Sequence, residues 1–517
     1  MIRSTFSGFN MAQLALMSNQ RAIDIAGHNI SNINTYGFTR QRLDLASINP
    51  VGASYSSSPF DMKVGQGVMM TGISQIRDPF LDIQFRNQIA KVGTADATDK
   101  ILEQIGNIFD ETDSSGIKDA LGEVLKQLKE MANPENAGEQ SVEALLKSNM
   151  QVLMNLINQK AEDINGLKEE LISQLQDSDL KNLNSCIERI VELNESIKNA
   201  QVLGSPALEL QDQRNALLDD LATYLPINVK YRTDTSTGVP LDVLEVTFRD
   251  GSGEEHLLIS DNEMGEFTLD DNDGKIPVSL SFKGSDGEAK DITDLLRNGV
   301  LKGNLDMLNQ AGAFDGSGVK GVGYYEKMFD SFVNQLATTM NELNAIKNPD
   351  GSVTNKDLFV KKDGADTFTA ENIQLSEAWM NGEIGITLCQ PDENGNVEGS
   401  SAYENVLKMF NALSSDKHQF VNADGNVVFE GTIEGGYDHL ANTQAIDRKA
   451  TQAILTNHLT VLGQIENSKD AVSGVSMDEE VMDLMRYQQS YNAASRLMTT
   501  LDQILDKLIN ETGVVGR

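Results

Sequence analysis

Residues 484–508, LMRYQQSYNAASRLMTTLDQILDKL, decide how the chain is read. Leu484, Tyr487, Tyr491, Ala494, Met498, Leu501, Leu505 and Leu508 recur at alternating steps of three and four, with Asp483, Arg486, Gln489, Arg496, Asp502, Asp506 and Lys507 between them. This is an a/d heptad seam about three and a half heptads long. A lone helix with such a seam buries nothing, so it needs a second helix. The same rhythm runs near the other end through Phe9, Ala12, Leu16, Asn19, Ile23, Ala26, Ile30 and Ile33. Two seams at opposite termini supply each other, and the charges agree: residues 1–50 carry +2 and residues 470–517 carry −4. The alternative is that each end packs on a nearby globular core, because periodicity does not name its partner.

Inward from the ends, residues 84–225 read as helix. Val142 to Gln176 and Leu180 to Gln201 form two long amphipathic stretches, and Leu208 to Tyr224 forms a third that Pro226 stops, implying an antiparallel bundle. From Ile227 the period changes to two, through Val229, Tyr231, Leu241, Val243, Leu244, Val246 and Phe248. Asp-Gly follows at 250 and recurs at 273, 286, 315, 350, 363 and 424, with Asn-Gly at 394: hairpin chemistry, with glycine at the positive-φ site. Further helices are expected at about Tyr324–Ile346 and Tyr437–Lys469. The fold class is multidomain α+β with nested boundaries. Residues 1–50 plus 470–517 form a terminal coiled-coil domain, and 51–225 plus 319–347 plus 433–469 a helical bundle. A β-rich outer domain spans 226–318 and a second mixed α/β insert 348–432.

At 517 residues the chain has room for three or four domains. Its formal charge of −35 argues against nucleic acid, whose partner needs a basic face. No apolar run approaches the 18 to 20 or so residues that cross a bilayer, and no apolar stretch after Arg3 makes a cleavable secretory signal. Neither a nucleic-acid nor a membrane partner is therefore expected. Cys186 and Cys389 cannot staple a chain of this size and read as small buried hydrophobes.

Chemistry finds no seat. Gly316-Ser-Gly318-Val-Lys-Gly321 has dinucleotide-loop spacing without a preceding strand and reads as a joint. The histidines at 28, 256, 418, 439 and 458 include no i, i+4 pair, and the Gly274 and Gly425 loops put Leu269 or Phe420 where a calcium ligand is required. No nucleophile elbow occurs, and the acidic clusters 261–266 and 270–273 read as solvated turns. No catalytic residue, metal or cofactor is expected.

Three blocks are more specific. Ala26 to Gln41, AGHNISNINTYGFTRQ, closes the first heptad helix; its Asn and Thr residues and Gly37 end a helix and turn the chain into extended structure. Val64 to Arg86 joins a short strand to the first bundle helix, with Pro79 where a first helical turn tolerates proline. Ser473 to Glu480 opens the last helix. These blocks resemble the bacterial flagellar rod and hook axial proteins and, in Thr39-Arg40-Gln41, those of the hook–filament junction; Asn29, Asn32, Asn34, Thr35, Gly37 and Phe38 carry the first motif. Asn309 departs from the resemblance, standing where an arginine is expected in the return from the outer domain, Gly299 to Asn309.

The resemblance implies a structural, non-enzymatic axial subunit. Its assembly interface would be Phe9, Leu16, Ile23, Ile30, Leu484, Tyr491, Met498, Leu501, Leu505 and Leu508. It also implies a ring of about eleven copies between hook and filament, with hook protein and a second junction protein, hook-associated protein 3, as partners. Export would run unfolded through the flagellar type III channel on an uncleaved N-terminal signal, with an export chaperone at residues 470–517. A hook or distal-rod protein shares the first motif, and a secreted adhesin or binding module on a helical stalk is the rival from another class. An enzyme in the second insert is the third reading, one that needs convergent His, Asp or Glu side chains.

Overall fold

Between Gly166 and Gly204 the chain has neither glycine nor proline, and in the computed structural model it runs as helix without a break from Gln140 to Val202. The structure describes residues 5–48, 67–111, 116–136, 139–235, 241–270, 276–284, 287–314, 318–391, 403–422 and 425–511. The helices are α1 (Thr5–Ser31), α2 (Pro79–Phe109), α3 (Ile117–Met131), α4 (Gln140–Gln174), α5 (Lys181–Val202), α6 (Leu208–Tyr224), α7 (Val300–Asn309), α8 (Val322–Asn344), α9 (Glu377–Met380), α10 (Glu404–Ser414), α11 (Ile433–Ser473) and α12 (Met477–Asp506). Asp78 caps α2 by accepting from Phe80 N, and proline takes the first helical position.

The expected turn between two helices near residue 178 is corrected. Leu175–Leu180 is a π-type turn joining α4 to α5. Leu175 and Leu180 are buried, and Asp179 accepts from Asn304 of α7 at 2.7 Å, so the extra residue is absorbed inside the helix rather than in a loop. The helix partners are therefore α4 with α3 and α5 with α6. Phe109, Phe329, Phe332 and Tyr437 meet ring to ring where α2, α8 and α11 converge.

The period-two stretch forms two antiparallel sheets. Strands β3 (Ile227–Asp234), β4 (Leu241–Arg249), β5 (Glu255–Ser260) and β6 (Glu263–Met264) make one; β7 (Glu266–Asp270), β8 (Ser279–Lys283) and β9 (Ala289–Asp291) make the other. The first hairpin, β1 (Gln41–Ser47) with β2 (Val68–Gln75), stands apart from both sheets and lies against α1. Phe248, His256, Phe267 and Phe282 form the aromatic core between the sheets. Residues 300–309, the last part of the β-rich stretch, are helix and pack on α2, where Gly299 lies against the Tyr224 carbonyl with φ of 110°. Asn309 holds the entry to β8, accepting from Val278 N and donating to Val278 O, which gives the unexpected asparagine a physical role.

The turn expectation holds at Gly287, Gly351, Gly364 and Gly425, all at positive φ. It is corrected at Asp250-Gly251: the positive φ belongs to Gly253, because Asp250 folds the turn around its own carboxylate. Asp273-Gly274, Asp315-Gly316 and Asn394-Gly395 involve residues outside the described set.

Residues 346–431 form short pairs gripped by α8: β10 (Ile346–Lys347) with β11 (Val353–Thr354), β12 (Phe359–Lys361) with β13 (Ile373–Leu375), and β14 (His418–Val421) with β15 (Val427–Gly431). Asp330, Asn334, Asn341 and Asn344 of α8 accept from the backbone N–H groups of Ala370, Phe368, Leu358 and Thr387 at 2.8–3.1 Å. These side chains pair backbone that no sheet ladder reaches.

Candidate functional site

The two termini meet as an antiparallel pair: Gly8 lies against Leu501, and Asn29, 21 residues on, bonds Glu480. On α12, Leu484, Tyr487, Tyr491, Met498, Leu501 and Leu505 are half-buried and Ala494 is buried. Leu508 stands 48% exposed in the π-type turn Lys507–Glu511 that follows α12. On α1, Phe9, Leu16, Ile23 and Ile30 are half-buried, whereas the most buried residues are Ala12, Ser18, Ala22, Ile25, Ala26 and Asn29. Part of this face is displaced from the expected seam because α1 has two neighbours. Alongside α12 it meets the β1–β2 hairpin, where Met11 and Leu14 approach Gly67.

Where the pair reaches the body, a polar joint replaces the apolar seam. Asn29, 1% exposed, treats Gln41 as a strand would: its Oδ1 accepts from Gln41 N at 3.0 Å and its Nδ2 donates to Gln41 O at 2.9 Å and to Glu480 Oε2 at 3.1 Å. Arg40 spans the same gap. Its Nη1 reaches Glu479 at 2.7 Å and its Nε forms an ion pair with Glu480 Oε1 at 2.6 Å. Burial opposes the Arg40 charge, but the Glu479 hydrogen bond and the Glu480 charge outweigh it and hold its pKa above the ordinary arginine value. Arg40 N also donates to Ser473 O, and Ile76 N to Arg40 O, so one residue links the hairpin to the α11–α12 turn.

α6 completes the joint. Asp212 Oδ2 accepts from Thr39 N at 3.1 Å, and burial raises the Asp212 pKa; Glu209 accepts from Gln41 Nε2 and lies 3.3 Å from His28. One layer below, Asp219 of α6 takes Arg86 at 2.7 Å and Lys469 at 2.7 Å, while Asp82 takes Arg77. Burial works against the Asp82 charge, but the Arg77 hydrogen bond outweighs it and lowers its pKa.

The motif residues divide in role. Asn32 caps the end of α1 by donating to His28 O, Thr35 Oγ1 donates to Asn32 Oδ1, and the Phe38 ring meets the His28 ring edge-on at 5.5 Å. Gly37 takes φ of 76°, and a Cβ there would sit 3.5 Å from Ala216. Asn34 is exposed. Sequence reasoning missed Glu480, Glu209 and Asp212. Only the acidic first turn of the last helix, Asp478-Glu479-Glu480, offered a signal, and acidic first turns are common on solvated helices.

Elsewhere, Asp250, Glu254 and His256 come close enough to suggest a metal site. Their hydrogen bonds already engage them: Asp250 Oδ1 accepts from Ser252, Gly253 and Glu254, its Oδ2 meets His256 at 2.9 Å, and Glu254 pairs with Lys290. The arrangement closes the β4–β5 turn. Gly318, in the glycine-rich joint, lies near an isolated bridge between Ala311 and Lys320, and Lys320 pairs with Asp447. Cys186 is buried and Cys389 half-buried. Among the described residues no helix is long and apolar enough to cross a membrane.

Residues 102–359 match the model of the flagellar hook-associated protein FlgK helical domain. The chain aligns along 99% of its length with flagellar hook-associated protein 1 of Bacillus subtilis strain 168, at 27% identity over 537 positions and 100% of that protein. The chain belongs to the flagellar hook-associated protein 1 family. This is a structural flagellar family. The counterpart from Escherichia coli K12 is 22% identical, with 99% of each chain covered. Two further matches fall on the halves of the joint: residues 9–39 on the flagella basal body rod protein and 471–511 on the flagellar basal body rod FlgEFG protein C-terminal model. The solved flagellar hook junction protein FlgK of Burkholderia pseudomallei shares the fold, with a TM-score of 0.54 at 13% identity over 76% of this chain and 100% of that one. The hook-associated protein 1 family thus accounts for the α+β architecture and for both terminal motifs.

Proposed function

We propose that this chain is the subunit that joins hook to filament and that it assembles through its terminal helices. One observation carries the reading: the α1–α12 pair leaves its seam unfinished, with only Glu480 and Ala494 of α12 buried and Met482, Met485, Leu497 and Ile504 at 45–59% exposure. Apolar surface of this extent seeks further helices, and other copies of the pair supply them. In this reading residues 1–50 and 470–517 form the assembling domain. The helical body of 51–225, 319–347 and 433–469 lies outside it, and the 226–318 and 348–432 segments face outward. Hook protein and the second junction protein meet the two ends of the ring, and an export chaperone covers the α12 seam before type III export.

The test is electron microscopy of a deletion strain with an assay of secreted flagellin. Junction function predicts hooks without filaments and unpolymerised flagellin in the medium; loss of hooks as well would mean a hook or distal-rod protein instead. Removing the two sheets, residues 227–298, while keeping α7 on α2 should spare motility, whereas a binding module that works through its β domain would lose its activity. Changing Leu501 and Leu505 to Asp should leave a folded body that does not assemble. Full filaments from that variant would rule the terminal mechanism out.

A further inference from the structure

Where α1 gives way to extended chain, α5 and α6 leave a cavity of about 740 Å³ against it, within the range that holds small organic ligands. Its walls combine two chemistries. Aromatic rings come from the end of α1 and the turn after it: His28 and Phe38 meet edge-on at 5.5 Å, and Tyr36 stands at the rim, 84% exposed. Carboxylates come from Glu192 of α5 and from Glu209, Asp212 and Asp220, which share one face of α6. Arg189 is the one permanent cation among the described lining residues. It does not reverse the field: burial and then the charge of Asp219 raise the Asp220 pKa, with Arg189 opposing. One acceptor is left over. Asp212, 7% exposed, uses Oδ2 to accept from Thr39 N at 3.1 Å, while its buried Oδ1 has no hydrogen-bond partner among the described residues. An orphaned buried acceptor at the wall of a cavity calls for a donor.

We infer that this cavity binds a linear polyamine, one ammonium reaching the Asp212 carboxylate and the methylene chain lying against the aromatic rings. The sign of the wall excludes an anion. A lone metal ion does not fit either: Glu209 to Asp220 spans about 16 Å at 1.5 Å of rise per residue, whereas a hard cation draws its oxygen ligands to within about 2–2.6 Å. Ammonium groups suit both wall chemistries, since they donate to carboxylates and are attracted to ring faces. The spread of carboxylates calls for several ammonium groups on one chain, because a single one leaves most of the wall unpaired. The bound chain would brace the end of α1 on the body of the molecule. The inference does not depend on the assembly reading and stands or falls without it.

The test is isothermal titration calorimetry of the purified full chain with spermidine at physiological salt, where attraction of a polycation to a chain of charge −35 is screened beyond about 8 Å. We expect one saturable site. Tyr36→Ala, at an exposed side chain, should weaken it about threefold to tenfold. Asp212→Asn, which keeps an oxygen for Thr39 N, should weaken it about tenfold or more. Glu123→Ala, which removes an acidic residue outside the cavity, should leave it unchanged. Absence of saturable binding overturns the inference. So does binding that Tyr36→Ala and Asp212→Asn leave as tight as before, because that is attraction to net charge alone. A second probe, N-acetyl-lysine methylamide, decides the ligand class: binding as tight as that of spermidine, or tighter, gives the cavity to a lysine side chain and overturns the polyamine. If circular dichroism shows Asp212→Asn unfolded, Tyr36→Ala and Glu192→Gln, both at exposed positions, carry the same comparison.

Discussion

Helix α8 and helix α12 are both long and amphipathic, yet 13 of the 23 residues of α8 are buried against two of the 30 of α12. Both carry apolar residues at helical spacing, so the difference lies in what surrounds them. α8 is enclosed by α11, α10, α4 and the short pairs of 346–431. Among the described residues α12 packs along α1 and meets Arg40 at its first turn. Folding free energy therefore resides in the body, and the terminal pair keeps unspent apolar surface for contacts the single chain does not make.

The largest expected effect tests that contrast directly. Phe332→Ala, at a side chain 1% exposed, should cost about 4 kcal/mol in denaturant unfolding, whereas half-buried Leu501→Ala should cost about 1 kcal/mol or less. Equal losses would erase the distinction. Next comes the joint. Arg40→Ala leaves Glu480 buried beside Asn29 without its counter-charge, at about 3 kcal/mol. The loss should be local: amide exchange in residues 26–48 and the first turns of α12 should accelerate about 100-fold while the body melts as before. Coincident loss of the body would show that the joint is part of its cooperative unit.

A smaller effect is set by pH. Burial raises the Asp330 carboxyl from 3.8 to about 7, with Glu326 and Glu371 adding to it and Lys168 opposing. The native state thus holds a proton that the unfolded chain releases. The contribution of this proton to stability is full below about pH 4, falls through the window up to about 7 at no more than about 1.4 kcal/mol per pH unit, and is gone above it. Asp330→Asn keeps an acceptor for Ala370 N and should flatten this slope, so the variant should gain stability at pH 8 and change little at pH 4. An unchanged pH profile would place the proton elsewhere. The smallest effect belongs to exposed charge: Glu123→Ala, which breaks the pair with Lys126, should shift unfolding by less than about 0.5 kcal/mol, because the buried face of α3 holds that helix.

The seams, the switch of period at residue 227 and the Ala26–Gln41 motif were legible because each is a local pattern. The joint was not. Glu480 is one of three consecutive acidic residues, and nothing local marks which of them is buried against an arginine 440 positions away. The α8 amides escaped notice for the same reason, since Asn334 and Asn341 in a helix read as solvated until the backbone they hold is known. The α4–α5 turn was misplaced because a π-type turn absorbs a mismatch that depends on α7, more than 120 residues downstream. On α1 the repeat reveals one neighbour, and the β1–β2 hairpin is the other.

The unbroken helix from Gln140 to Val202 has a mechanical meaning. Its first part is braced by α3 and α8, and its last part supports β4 and β6. A push on the outer sheet thus travels down a single strut, with no loop to take up slack. The six residues from Leu175 to Leu180 are where its hydrogen-bond pattern changes, so under load the strut flexes there first.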